Sequence, residues 1–282
     1  ILALDRDKSS FKIINQFKKK YQGRFDFENK KFSEILNTEK KINNLKGIIF
    51  DLGYSTTQIK DPKKGLSFNS KGKLNMRMGF NSISASDVIN KLEQKELSRI
   101  FKIFGEERQS NIISKKILSL RKKKIIQSED LVSIINSTKK NKFSKIHNAT
   151  KVFQSLRIVV NNEISELIYG LINSFKILPI GGIIVVVSFH SLEDKIIKFF
   201  FKNYSEVKNN SRYLPPNKEN KKLFEIIEKK PITPQKQEIK VNPASRSAKL
   251  RYGIKLNNHT DFSQFLKKFN YLLEVENLSK KI

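Results

Sequence analysis

Apolar and polar positions alternate between two periods along this chain, and the alternation predicts its elements. Ile1 to Leu4 is a short apolar strand ending at Asp5. Ser9 to Lys20 carries Phe11, Ile14 and Phe17 at helical spacing. Arg24 to Phe27 reads as a strand, Phe32 to Leu36 as a helical turn, and Gly47 to Phe50 as a buried strand ending in Asp51-Leu52-Gly53. This order is the wound α/β pattern. From Tyr54 to Phe80 no period is sustained, and a loop of that length in a compact domain usually carries function or is disordered. Helices are predicted over Ala85 to Phe104, Asn111 to Arg121 and Ser128 to Ser137, which together form a small helical insertion. Thr150 to Leu178 predicts one long helix stopped by Pro179 and Gly181-Gly182. Ile183 to Ser188 is an apolar strand, Leu192 to Tyr204 a helix, and Asn209 to Asn220 a polar loop. Phe224 to Lys229 and Ser247 to Leu256 suit an antiparallel pair, and Phe262 to Leu273 an appended helix. The opening residues read as the middle of a strand rather than a signal leader, so a native start upstream is expected.

Charge and composition narrow the function classes. The chain has 56 Lys and Arg against 27 Asp and Glu, a net charge of +29, which suits a polyanionic partner. A general drift toward Lys, Ile and Asn would give the same charge without one. Arg is the more telling type, because its planar fork suits bidentate phosphate and base contacts. Arg6, Arg77, Arg108, Arg157, Arg246 and Arg251 all fall in motif-like stretches. Lys115, Lys116, Arg121, Lys122, Lys123 and Lys124 give the insertion a basic edge, either a solvated face or a surface for RNA. No apolar run is long enough to span a bilayer. The absence of Cys excludes disulfides, thiol nucleophiles and cysteine metal sites, and is consistent with a cytoplasmic location. His147, His190 and His259 lack ligand spacing, so no metal is expected, and no G-x-S-x-G elbow supports a hydrolase triad.

The candidate chemistry sits at strand ends, because ligands of open α/β sheets bind outside the carboxyl ends of the strands. An acidic residue there can accept two ribose hydroxyls, which is one reading of Asp5; a helix cap is the other. Asp51 and Gln58 bracket a turn in which Gly53 permits close backbone approach, although a self-satisfied polar turn would look the same. Met76 and Met78 flank Arg77 in a polar loop, ready to pack on a flat ring or to fold back on the core. Ser191 is the expected N-cap of the helix after Ser188, with Glu193 and Asp194 in its first turn. Phe189 and His190 would then face the crevice.

Eight stretches occur in an order that identifies a family. They are Gly47-Ile-Ile-Phe-Asp-Leu-Gly-Tyr-Ser-Thr-Thr-Gln58, Gly65-Leu-Ser-Phe68, Leu74-Asn-Met-Arg-Met78, Phe104-Gly-Glu-Glu-Arg108, His147-Asn-Ala-Thr150, Phe153-Gln-Ser-Leu-Arg-Ile158, Ser188-Phe-His-Ser-Leu-Glu-Asp-Lys195 and Asn242-Pro-Ala-Ser-Arg-Ser-Ala-Lys-Leu-Arg251. The series resembles the bacterial small-subunit ribosomal RNA cytosine-N4 methyltransferases of the MraW type, from Ile1 to about Lys255. The resemblance implies a Rossmann-like S-adenosylmethionine-dependent methyltransferase sheet, residues 1–81 and 151–256, with an inserted helical domain, 82–150, and a C-terminal tail, 257–282. It implies that Asp5, Phe32, Asp51 and Gln58 line the S-adenosylmethionine site. The implied acceptor is a cytidine amine in the small ribosomal subunit, bordered by Met76, Arg77, His190 and Ser191. Asn75 and His190 are the catalytic candidates. The family's first strand and Gly-Gly-His cofactor loop would precede Ile1, and the family's usual Asp is replaced at Asn75 and at Gly79.

Overall fold

The computed structural model describes residues 1–39, 44–70, 72–139, 147–206 and 222–282. The predicted polar loop Asn209 to Asn220 lies outside them. Strands β1 (Leu2–Leu4) and β2 (Asp26–Glu28) pair in parallel across helix α1 (Phe11–Lys20). Ile14 is the buried residue of α1, while Phe11 turns edge-on to Phe27 and Phe17 lies beside Phe25. Strand β3 (Gly47–Asp51) runs parallel to β4 (Ile183–Ser188), with Gly47 opposite Ile183 and Asp51 opposite Val187. Strand β6 (Lys249–Lys255) is antiparallel to β4, and β5 (Phe224–Glu225) antiparallel to β6.

A single wound sheet was expected, and the structure has two. One is β1-β2; the other has the order β3-β4-β6-β5. Among the described residues no strand joins β1 to β3. Alternation along β3 buries Ile48 and Phe50 on the helix side and leaves Ile49 75% exposed on the other.

The remaining helices are α2 (Thr56–Lys60), α3 (Ala85–Lys91), α4 (Gln94–Phe104), α5 (Ser110–Arg121), α6 (Ser128–Thr138), α7 (Thr150–Asn161), α8 (Glu163–Ile177), α9 (Ser191–Ser205), α10 (Lys236–Val241) and α11 (Ser263–Glu276). Two predicted helices are each split. The first breaks at Leu92, where Glu93 starts a new helix by giving its backbone N–H to Glu96 at 3.0 Å. Arg121 reaches back and donates to the freed Leu92 carbonyl at 2.5 Å. The second breaks at Asn162, which adopts the left-handed conformation (φ 51°, ψ 40°) that Asn tolerates better than most residues.

The insertion shares its interior with the rest of the chain. Helix α4 packs against α7 and α11, and one hydrophobic cluster runs from Leu97 and Phe101 through Leu156 and Leu167 to Phe50 and Val186. No helix among the described residues is long and apolar enough to cross a membrane.

Candidate active site

The loops that follow β1, β3 and β4 meet at the carboxyl edge. Asp5 follows β1, and its Oδ1 accepts the Asp7 backbone N–H at 2.8 Å. Burial raises its carboxyl above the ordinary aspartate range. The local cap is Asp7, whose carboxylate accepts the Ser9 backbone N–H at 2.9 Å. Asp5 is therefore not the helix cap. Asp7 also receives the Lys64 ammonium and the Gln58 side-chain amide. Burial pushes the Asp7 carboxyl up, but Lys64 and the Ser9 and Gln58 donors outweigh it and bring it down to about 2.

Gln58 is committed at both ends. Its Oε1 accepts the Ser55 N–H at 2.8 Å, closing a capping box at the start of α2, while its Nε2 reaches Asp7. Through this side chain the loop after β3 is tied to the loop after β1. Asp51 ends β3 in solvent, and its side chain makes no hydrogen bond among the described residues. Loss of part of its hydration raises its carboxyl. Gly53 has φ +98°, and a Cβ there would lie 3.5 Å from the Phe189 ring, which brings the β3 and β4 loops together. Phe32 stands edge-on to Phe50 with centroids 5.5 Å apart and packs on Gly170 of α8.

Behind these loops lies a buried ionic cluster. Arg157 of α7 holds Glu163 through paired bonds of 2.7 and 2.8 Å and lies 4.7 Å from the Tyr54 ring centroid. Glu193 is buried and accepts the backbone N–H groups of Phe189 and His190 at 3.0 and 3.3 Å. Burial opposes its ionisation, yet His190 and Arg157 keep its carboxyl below the usual range. Oxygens of Glu163 and Glu193 and a nitrogen of His190 lie within 4.8 Å of one another. Because Arg157 already occupies both Glu163 oxygens, this is a salt-bridge cluster.

The expected cap moves by one residue. His190, not Ser191, is the N-cap of α9: its Nδ1 accepts the Glu193 N–H at 3.4 Å. Its Nε2 lies 3.1 Å from a Glu193 oxygen but is buried without a hydrogen-bond partner. Ser191 is exposed, and its hydroxyl meets Glu106 at 3.2 Å.

The Leu74–Met78 loop also differs from expectation. Met76 and Met78 are 0% and 4% exposed, core residues rather than a platform for a base. A loop folding back onto the core accounts for them, because their thioether chains fill it. Only Arg77 points outward, with Nε on Asn75 Oδ1 at 2.7 Å and Nη1 on the Ser82 carbonyl at 3.3 Å. Asn75 donates its Nδ2 to the Lys63 carbonyl at 3.2 Å. Gly79 has φ +92°, and a Cβ there would sit 2.3 Å from the Arg6 carbonyl oxygen. The usual family Asp would not fit in this arrangement.

Sequence reasoning missed Asp7 and Asn161. Asp7 was signalled by the second carboxylate in Asp5-Arg6-Asp7, and Asn161 by the Asn161-Asn162 pair inside an apolar helix.

Comparison with known proteins shows the family. The profile of the MraW methylase family matches residues 1–256. A ribosomal RNA small subunit methyltransferase H of Bartonella tribocorum is 40% identical over 260 residues, covering 91% of this chain and 77% of its own length. Proteins of the same name from Rhodopseudomonas palustris and Sulfurihydrogenibium sp. are 36% and 37% identical, covering 90% and 91% of this chain and 77% and 84% of their own lengths. On residues, order and extent of match, the chain belongs to the MraW methylase family.

Proposed function

We propose that this protein transfers a methyl group from S-adenosylmethionine to the exocyclic N4 amine of a cytidine in the decoding region of small-subunit ribosomal RNA. The reading rests on a family match spanning residues 1–256, together with relatives named for that RNA subunit. A cytoplasmic location follows from that substrate. Residues 1–81 and 151–256 form the methyltransferase unit, 82–150 the inserted helices and 257–282 the tail.

The residues present suit the cofactor. Asp5 is relieved of helix capping by Asp7, and Asp51 has no protein donor among the described residues. Two such acceptors at the ends of β1 and β3 fit ribose hydroxyls and an ammonium group. Asp5 takes the ribose, Asp51 lies beside it, Gln58 fixes the loop through Asp7, and Phe32 lines the site. S-adenosylmethionine, when bound, supplies an already activated methyl group, so the protein mainly contributes position.

A cytosine amine is a weak nucleophile because its lone pair is delocalised into the ring. Hydrogen-bond acceptors at the amine favour the tetrahedral nitrogen that attacks. The carbonyls of Leu52 to Ser55 and Asn75 Oδ1 serve here. Arg77 now occupies that oxygen, and a phosphate or base drawing Arg77 outward would release it. His190 orients the base, with Ser191 at the rim. The His190 Nδ1 caps α9 and its Nε2 is buried beside the Glu193 carboxylate, so its role is placement rather than proton removal. The target base leaves its stack to reach the crevice.

The test is incubation with unmodified small subunits and labelled S-adenosylmethionine, followed by nucleoside mass spectrometry. N4-methylcytidine is the expected product. RNA binding without transfer would make the protein a binding module, and label on another acceptor would reassign its substrate.

A further inference from the structure

One buried amide holds the loop that carries Arg77. Asn161 is the last residue of α7 and is 0% exposed. Its Oδ1 accepts the Met78 backbone N–H at 2.8 Å and the Asn81 side-chain amide at 2.9 Å. Its Nδ2 donates to the Met76 carbonyl at 2.8 Å and to the Arg157 carbonyl at 2.9 Å. Both donors and both acceptor sites of the amide are thus used. Two of these four bonds bracket Arg77 on its two sides.

The other end of the same residue reaches the opposite wall. The Asn161 backbone carbonyl accepts Arg6 Nη1 at 2.7 Å, and Arg6 stands between Asp5 and Asp7. The loop is pressed onto that strand end as well, because Gly79 lies against the Arg6 carbonyl. Met76 has φ +57°, a conformation costly for its side chain that persists only where its surroundings impose it. One turn earlier on α7, Arg157 stacks on Tyr54 in the loop after β3. The end of α7 therefore touches the loops after β1 and β3 and the loop that carries Arg77.

We infer that Asn161 is a positioning residue for the acceptor side of the reaction: it sets Arg77 relative to the β1 carboxylates through Met76 and Met78 without touching RNA. This rests on the proposed methyl transfer to RNA. If the methylation site lay elsewhere, the clamp would remain but would have no effect on RNA.

Three variants of the full chain test it. Asn161→Leu is close in size and removes all four side-chain bonds. Asn161→Asp keeps the acceptors for Met78 and Asn81 but cannot donate to the Met76 carbonyl. Asn81→Ala removes one outer partner and leaves the core intact. The KM for small subunits should rise about tenfold or more in Asn161→Leu, less in Asn161→Asp, and about threefold in Asn81→Ala, with cofactor affinity by calorimetry within about twofold of wild type. The Met78 amide should exchange its hydrogen about tenfold faster in Asn161→Leu and near the wild-type rate in Asn161→Asp. A folded Asn161→Leu protein with wild-type KM for subunits overturns the inference, as does an equal loss of cofactor and subunit affinity. If Asn161→Leu does not fold, wild-type KM in both other variants overturns it. Wild-type protein that methylates no subunit RNA refutes the proposed function instead, and hydrogen exchange still reports on the clamp.

Discussion

Arg77 shows how a single side chain is prepared for a charged partner. Two of its donors rest on Asn75 and Ser82 without burying the guanidinium, so a charged partner can draw it outward. The side chain is exposed, and a phosphate could accept two of its remaining N–H groups. Arg77→Ala should lower methylation of small subunits by about tenfold or more, since charge-assisted bonds contribute roughly 1.5–3 kcal/mol each. Cofactor affinity by calorimetry should be unchanged. Arg77→Lys should recover little, because an ammonium cannot present the planar fork. Wild-type activity of Arg77→Ala would place the RNA entrance elsewhere. The positions of Asp5 and Asp51 at the ends of apolar strands were legible in the sequence, as was the exposed Arg77 in its polar loop. The Met76 and Met78 contacts were not, because whether a loop methionine faces a ligand or the core depends on where the chain returns. Asp7 and Asn161 were hidden for a related reason, as their partners lie about 50 and 80 residues away.

Helix α8 carries the same lesson to the scale of an element. Periodicity marked it as apolar and helical, but not where it begins, because its ends are set by distant residues. At its start, Glu276 of α11 accepts the backbone N–H groups of Ile164 and Ser165 at 2.8 and 3.0 Å. At its finish, Lys255 donates to the carbonyls of Phe175 and Leu178 at 2.7 and 2.6 Å. An anion at the N-terminus and a cation at the C-terminus match the helix dipole, and both satisfy backbone groups the helix itself leaves open. Glu276 is fully enclosed, so burial outweighs its hydrogen bonds and raises its carboxyl from 4.5 to about 7. The folded state therefore binds a proton between those values that the unfolded state has released. Stability from this group is present at lower pH and is lost as pH rises through that window, by up to about 3 kcal/mol. Glu276→Gln keeps one acceptor and cannot titrate. Thermal melts should show wild type losing stability relative to Glu276→Gln between about pH 4.5 and 7.5. A difference that stays constant over that range would show that Glu276 does not titrate there.

For the whole molecule the question is what a charge of +29 does. The sequence reads Arg121, Lys122, Lys123 and Lys124 as one basic edge, but the structure divides them. Arg121 turns inward to the Leu92 carbonyl, where it ends α3 rather than facing a partner. Lys124 is paired with Asp130 at 2.6 Å. Lys122 and Lys123 are exposed, and neither forms an ion pair among the described residues. A cation already matched by a carboxylate displaces few counterions when RNA arrives, whereas an unpaired one displaces nearly one. Neutralising Lys122, Lys123 and Lys124 together to Gln should therefore flatten the slope of log affinity against log salt by about 1.4, the value for two phosphate contacts on single-stranded RNA, rather than the roughly 2 expected for three. Lys124→Gln alone should change the slope little, and Arg121→Gln should lower stability without a matching change in slope. Filter binding of small-subunit RNA across a salt series measures all of these. An unchanged slope in the triple variant would mean that these lysines only solvate the insertion, and that the RNA lies along the crevice beside Arg77 without reaching the helices.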